Sequence, residues 1–512
     1  MSTIAAALQL CLVAMLWGCA SDQVKSDPIA TLNAPSLTGY QHNKAMEALD
    51  ATAPNDPETL KALHNVVSRD YYSLGVREAA LNRLAERDLD NLKRTIRNTM
   101  PRSESPGWIE RCSQIIAERG WTDLSPALVS SWARPRAWVR DEMQRPEYMA
   151  LASMHGPDNI TDVVYTLFLE SKSAGQQGLR TRCWDLLHRL GQRERLVQLL
   201  ASSNVPQDDA MLLDLRAGAA ELGLVPRNRE EILWLRKLRE PDRSDFWARA
   251  VSAVKDLSPQ RRADLELRDL PILVSASLHD PEMLRMSSDD LYARAESYLQ
   301  SQPHYVQDSN YAGIADSSQQ RLRDHRGKLT WGDLAAIHIA IRALQVPEVV
   351  AHLFNYAERD QVDTSTEYGG VIALDAKDRF EIREFQAMMR RHDQEFIASQ
   401  AMLDAAYTSI FHFHLHAQKY RNEQFAGPGF GDINYADNVY ANCLVFTFMN
   451  KDTMNVDFYR HGRVVIDLGV IKRPNVQASA QGEEDALRQT AASRMIWIPL
   501  LLHSRISSSQ VA

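Results

Sequence analysis

The chain has 512 residues, 58 Lys and Arg against 66 Asp and Glu, a net charge of -8, and 45% hydrophobic content; this is a globular composition, which excludes a disordered or fibrous protein and predicts about three units at roughly 150 residues each. The small net charge and the lack of any long basic run exclude a phosphate-tracking surface, so no nucleic acid is expected as a partner. Gly contributes only 22 residues, a scarcity that favours long helices over turn-dense sheet and predicts a mostly α chain.

In chain order, residues 4–17 form a continuous apolar run followed at once by polar residues, too short to span a bilayer as a permanent helix. It reads as a signal peptide, ending in Leu16-Trp17-Gly18-Cys19-Ala20-Ser21. That ending resembles a bacterial lipobox, with a small residue before the cut and then the Cys that takes the lipid. The resemblance implies residues 1–18 as a lipoprotein signal, Cys19 as the lipidated N-terminus, and membrane anchoring outside the cytoplasm; a plain secretory peptide is the alternative. Residues 19–40, polar and aperiodic with Pro, Ser and Thr, are expected to be a flexible tether. Cys112, Cys183 and Cys443, well separated, suit buried thiols better than a disulfide framework or a zinc knuckle.

From about 41 to 345, apolar positions recur at helical spacing, broken by segments such as 52–57 and 101–103. Three segments, beginning at Arg77, Arg111 and Arg182, can be laid over one another with starts 34 and 71 residues apart, each with an apolar partner downstream near Leu92, Leu128 and Leu196. The pattern resembles a degenerate HEAT-type α-solenoid, and an irregular helical domain is the alternative. The resemblance implies a region that holds a protein or peptide partner. Trp121, Trp132, Trp138, Trp184, Trp234 and Trp247 fall at helical spacing among Leu and Val, as core residues do.

After Asp360 the texture changes. Glu367 stands at the mouth of a short strand, Gly369-Gly370-Val371-Ile372-Ala373-Leu374, and a helix is expected over about 382–406. In Phe411-His412-Phe413-His414-Leu415-His416, strand alternation sends the apolar residues to one face and the three His to the other. Imidazoles at i and i+2 on a strand reach a common point, which is metal-ligand geometry, and Asp432 beyond a Gly-rich loop supplies a third, anionic ligand. Three protein ligands with a fourth position for water mark a catalytic zinc site. His412 is either a supporting residue or exposed, and Asp437 is the alternative ligand if the loop shifts the register.

The order of these parts is similar to the JAMM (MPN-plus) metalloprotease family: a helix (349–359), Glu367 opening a Gly-containing strand, His414-x-His416, a loop and Asp432, then strands over 443–449, 455–459 and 464–469. Ala417 stands where the family has Pro, and Gly429 where it has a Ser or Thr that hydrogen-bonds the oxyanion. The resemblance implies an α/β (α+β) fold over 346–475, with His414, His416 and Asp432 holding Zn. It makes Glu367 the general base of a peptide or isopeptide hydrolase. A non-catalytic helical-repeat scaffold lipoprotein with a degenerate JAMM-like module is the competing expectation. Residues 476–512, with Pro499 inside an apolar run, are expected to pack on the body.

Overall fold

Proline and short polar side chains set the helix boundaries. Asp56 accepts hydrogen bonds from the N–H groups of Glu58 and Thr59 and so caps Pro57–Ser68, whose first position is a proline. The computed structural model describes residues 27–134, 141–202, 206–305, 320–392 and 396–474. The lipidation candidate Cys19, the signal segment, Trp138 and the closing residues 475–512 lie outside them. The tether expected over 19–40 is folded in its described part: Asp27 caps the helix Pro28–Leu32, and Leu32 is buried.

The chain divides into two compact units. The first comprises the chain to Asn204 with Arg227–Arg229, and the second comprises Val205–Pro226 with everything from Glu230 onward. All regular structure described in the first unit is helical. The three overlaid segments fall in the helices Leu74–Arg87, Pro106–Glu118 and Gln177–Arg189. Their apolar partners Leu92, Leu128 and Leu196 are buried in Leu89–Thr99, Ser125–Trp132 and Arg193–Ala201. A polar contact recurs in this unit: Arg83 bonds Asp50, Arg111 bonds Glu78 and Arg195 bonds Asp162, each across 33 residues. Cys112 and Cys183 are buried free thiols, and the expected core tryptophans Trp121, Trp132 and Trp184 are buried as well.

The second unit joins helices to a six-stranded mixed sheet. Its strands are β1 (Gly369–Leu374), β2 (Phe380–Phe385), β3 (Phe411–His416), β4 (Cys443–Asn450), β5 (Thr453–Arg460) and β6 (Val464–Lys472), in the spatial order β2-β1-β3-β4-β5-β6. Only β3 and β4 are parallel neighbours. Parallel strands need a crossover connection, and residues 417–442, with the helix Phe430–Val439, provide it. One face of the sheet is aromatic: Phe413 meets Phe446 edge-on at 5.8 Å and Phe411 meets Phe458 at 6.5 Å, while Tyr356 and Phe354 of the helix Pro347–Val362 pack on Phe413 and Phe448. The opposite face carries the histidines.

The sequence predicts a helix over about 382–406, whereas the chain forms β2 there and a helix only over Gln400–Ala406. In β2 Phe380 and Ile382 are buried while Glu381, Arg383 and Glu384 stay accessible, as suits an edge strand. The β1 glycines are required by close approach: a Cβ on Gly370 would lie 2.2 Å from the carbonyl oxygen of Arg383, and one on Gly369 would lie 2.8 Å from that of Phe413.

The helices between 230 and 343 belong with the sheet, so the division falls well before residue 346, the border expected from sequence. A buried ion network shows why. Asp333, fully buried at the start of Trp331–Ala343, accepts from Arg268 (2.8 Å) and from both Nε and Nη2 of Arg460 on β5 (3.0 and 2.8 Å). Arg268 also donates to Glu266 and to Asn442 Oδ1. Burial opposes the charge on Asp333, but the two guanidinium groups prevail and lower its pKa. Asp333→Ala leaves two buried guanidinium groups without their shared counter-charge, and we expect it to lower unfolding stability by about 3–5 kcal/mol. A urea midpoint equal to that of the wild type would contradict this account.

A second buried pair behaves oppositely. Asp457 and Asp467 oppose one another on β5 and β6, and burial raises both pKa values, their proximity adding to the shift at Asp457. Folding therefore favours the protonated forms: the stability they contribute is complete below the ordinary aspartate value of 3.8 and is lost as pH rises through the raised folded values. Asp457→Asn, neutral at every pH, should lessen the fall of melting temperature with rising pH, which thermal scans at several pH values check.

Candidate metal centre

The site forms where the C-terminal end of β3 meets the first turn of the crossover helix. His412, His414 and His416 share one face of the strand, and all three are buried. His414 Nε2 and His416 Nε2 face each other at 3.1 Å. Asp432, half-buried, closes the figure: its Oδ1 lies 3.2 Å from His414 Nε2 and its Oδ2 lies 3.7 Å from His416 Nε2. Asp432 is held by its own helix, where it is the third residue; its Oδ2 accepts the Gly429 N–H at 2.7 Å. Glu367, buried just before β1, places a carboxylate oxygen within 4.8 Å of a ring nitrogen of each of His414 and His416.

Tautomers decide what this arrangement can hold. His416 Nδ1 lies 2.8 Å from the carbonyl oxygen of Phe425, an acceptor only, so Nδ1 carries the proton and Nε2 of the neutral ring presents a lone pair. That lone pair points at the Nε2 of a second imidazole, and only a shared proton or a cation reconciles the two. Metal bonds of about 2.0–2.1 Å at tetrahedral angles set ligand atoms about 3.3 Å apart. The distances of 3.1, 3.2 and 3.7 Å bracket that value. The buried Glu367, His414 and His416 group is thus able to hold a metal ion, and Asp432 faces the same point.

The electrostatics agree. Burial disfavours the charged form of His414, but the charge and hydrogen bond of Asp432, with a contribution from Glu367, raise its pKa. Burial and the neighbouring His414 push His416 down to about 4. For Asp432 burial works upward, yet the two imidazoles and the Gly429 N–H bring it to about 2. The carboxylate is held as an anion, the form that binds metal. Tyr459 OH lies 3.4 Å from His414 Nδ1, at the edge of the ring. The cluster opens into a cavity of about 1030 Å³ whose apolar wall includes Phe396, Ile397, Met402, Leu403, Phe425 and Phe430.

Of the residues singled out by sequence, Glu367, His414, His416 and Asp432 come together. His412 does not join them: its Nδ1 meets Tyr435 OH at 2.8 Å, and burial lowers its pKa to about 4. Asp437 turns away and accepts the Gly462 N–H. Two other acids of this region are engaged in ion pairs: Glu384 with His352 and Arg359, and Glu381 with Arg383. Tyr459, Tyr435, Gln418, Asn422 and the Phe425 carbonyl are parts that no motif announced. Compared with protein-family models, curated proteins and solved structures, the chain matches nothing.

The purified protein should carry one divalent metal ion per chain through gel filtration. His414→Ala and Asp432→Ala should lose it, while His412→Ala keeps it. Elemental analysis of the variants reads the result, and retention by the first two would remove them from the coordination set.

Proposed function

We propose that the protein is a lipid-anchored, extracytoplasmic, zinc-dependent hydrolase of peptide or isopeptide bonds. Its catalytic part is a JAMM-like domain, preceded by HEAT-like helical repeats. The observation that carries this reading is the closure of His414, His416 and Asp432 into one triangle with Glu367 beside it. Two imidazoles and one carboxylate are a donor set that catalytic zinc uses. The chain order of helix, Glu, His-x-His strand, crossover and Asp, on the elements described above, supports the JAMM-like assignment. The polar contacts that recur at 33 residues support the repeats. The sequence Leu16-Trp17-Gly18-Cys19 supports the anchor.

A bound ion supplies Lewis acidity, polarising a carbonyl and easing deprotonation of water near neutral pH. The protein's own groups do the rest. Glu367 takes a proton from water as its oxygen adds to the carbonyl carbon, then hands that proton to the departing amine as the C–N bond breaks. His414, His416 and Asp432 hold the reacting centre at the cavity floor, and the apolar wall seats a stretch of peptide. The Gly429 N–H is committed to Asp432 and cannot replace the missing hydroxyl at this position. Phe430 and Gly431, in the first turn of the helix and on the cavity wall, offer N–H groups that have no intrahelical acceptor and suit a developing oxyanion.

That commitment of Gly429 is also what favours the second reading, a non-catalytic scaffold whose repeats bind a protein partner. A panel of fluorogenic peptides and isopeptide-linked lysine peptides separates the two. Under the hydrolase reading Glu367→Gln keeps the metal and loses on the order of 10²–10⁴-fold in turnover. Metal bound with no Glu367-dependent cleavage would favour the scaffold.

A further inference from the structure

A glutamate beside a metal centre has two possible fates, ligand or proton acceptor, and its orientation selects between them. Glu367 Oε1 accepts a hydrogen bond from Gln418 Nε2 at 3.2 Å. The direction of that amide is determined by the next residue in the chain of contacts. Asn422 Nδ2 donates to Gln418 Oε1 at 2.6 Å and to the His416 carbonyl at 3.0 Å. The His416 carbonyl can only accept, so Asn422 turns its NH₂ end to it; the Gln418 amide facing that same NH₂ then presents its oxygen and turns its own NH₂ end to Glu367. Asn422 is itself fixed: it is fully buried, its N–H donates to the Phe448 carbonyl on β4, and its C=O accepts the Phe425 N–H.

We propose that Gln418 is a positioning residue, oriented by Asn422, that holds the Glu367 carboxylate as a proton acceptor and keeps it from joining the metal ion as a ligand. The inference rests on the reading of the cluster as a metal centre with Glu367 as its base. The same relay runs through His416, because Asn422 grips the backbone of that ligand. One amide pair in the crossover thus contacts both the base and the backbone of a ligand, whose ring is oriented by the Phe425 carbonyl.

Gln418→Met keeps the length of the side chain and removes the donor. Cobalt(II), whose visible absorption reports its ligand set, is the probe, added to the full metal-stripped chain in four forms: wild type, Gln418→Met, Glu367→Gln and the double variant. Released from the amide, Glu367 should join the ion. Gln418→Met should then tighten cobalt binding and change the absorption spectrum, whereas in the Glu367→Gln background the same substitution should change neither. Equal responses in both backgrounds, or none in either, would overturn the role of Gln418 while leaving the metal centre standing. A wild-type chain that takes up no cobalt would sink the metal reading and this inference together.

Discussion

Two strands that run side by side in the same direction govern this molecule. Because β3 and β4 are parallel, the chain cannot pass between them by a tight turn and must travel over the sheet. The segment that makes the journey supplies Gln418, Asn422, the Phe425 carbonyl and Asp432, while β3 supplies the two imidazoles. Most of the candidate centre is therefore a by-product of one connection. Glu367, at the mouth of β1, and Tyr459, on β5, reach the imidazoles from elsewhere.

The sheet that imposes this route is itself pinned by charge. Asp333 sits at a helix start between Arg268 and Arg460, and Arg268 reaches Asn442 at the end of the crossover. Buried ions of this kind add little net stability over well-packed apolar groups, but they tolerate few alternative arrangements. The network thus ties helix, crossover and strand to one geometry, and the metal-facing side of β3 is built on that framework.

What sequence discloses and what it hides differ for physical reasons. The alternation in Phe411–His416 is local, so the strand and its histidine face are readable, and the apolar runs of β4 and β6 are readable likewise. Strand β2 is hidden because an edge strand needs one apolar face only, and its Glu381, Arg383 and Glu384 resemble the polar side of a helix. The extent of the second unit is hidden because it depends on pairs such as Arg268 with Asp333 and Arg460 with Asp333, separated by 65 and 127 residues. Residue type and order indicate Glu367, His414, His416 and Asp432 as candidates, yet their convergence is a property of the crossover. Gln418 and Asn422 carry no signal at all, since an amide gains its meaning only from what stands at its two ends.

The paired glycines of β1 have a consequence for how the base is placed. Successive residues of a strand face opposite ways, so sliding β1 by a single step along its neighbours would exchange the two sides of the strand. It would also bring Val371 or Tyr368 to places where the backbone of Arg383 and Phe413 leaves room for a hydrogen atom and little else. Gly369 and Gly370 thus act as a key cut for one alignment, and Glu367 inherits its height above the sheet from that lock.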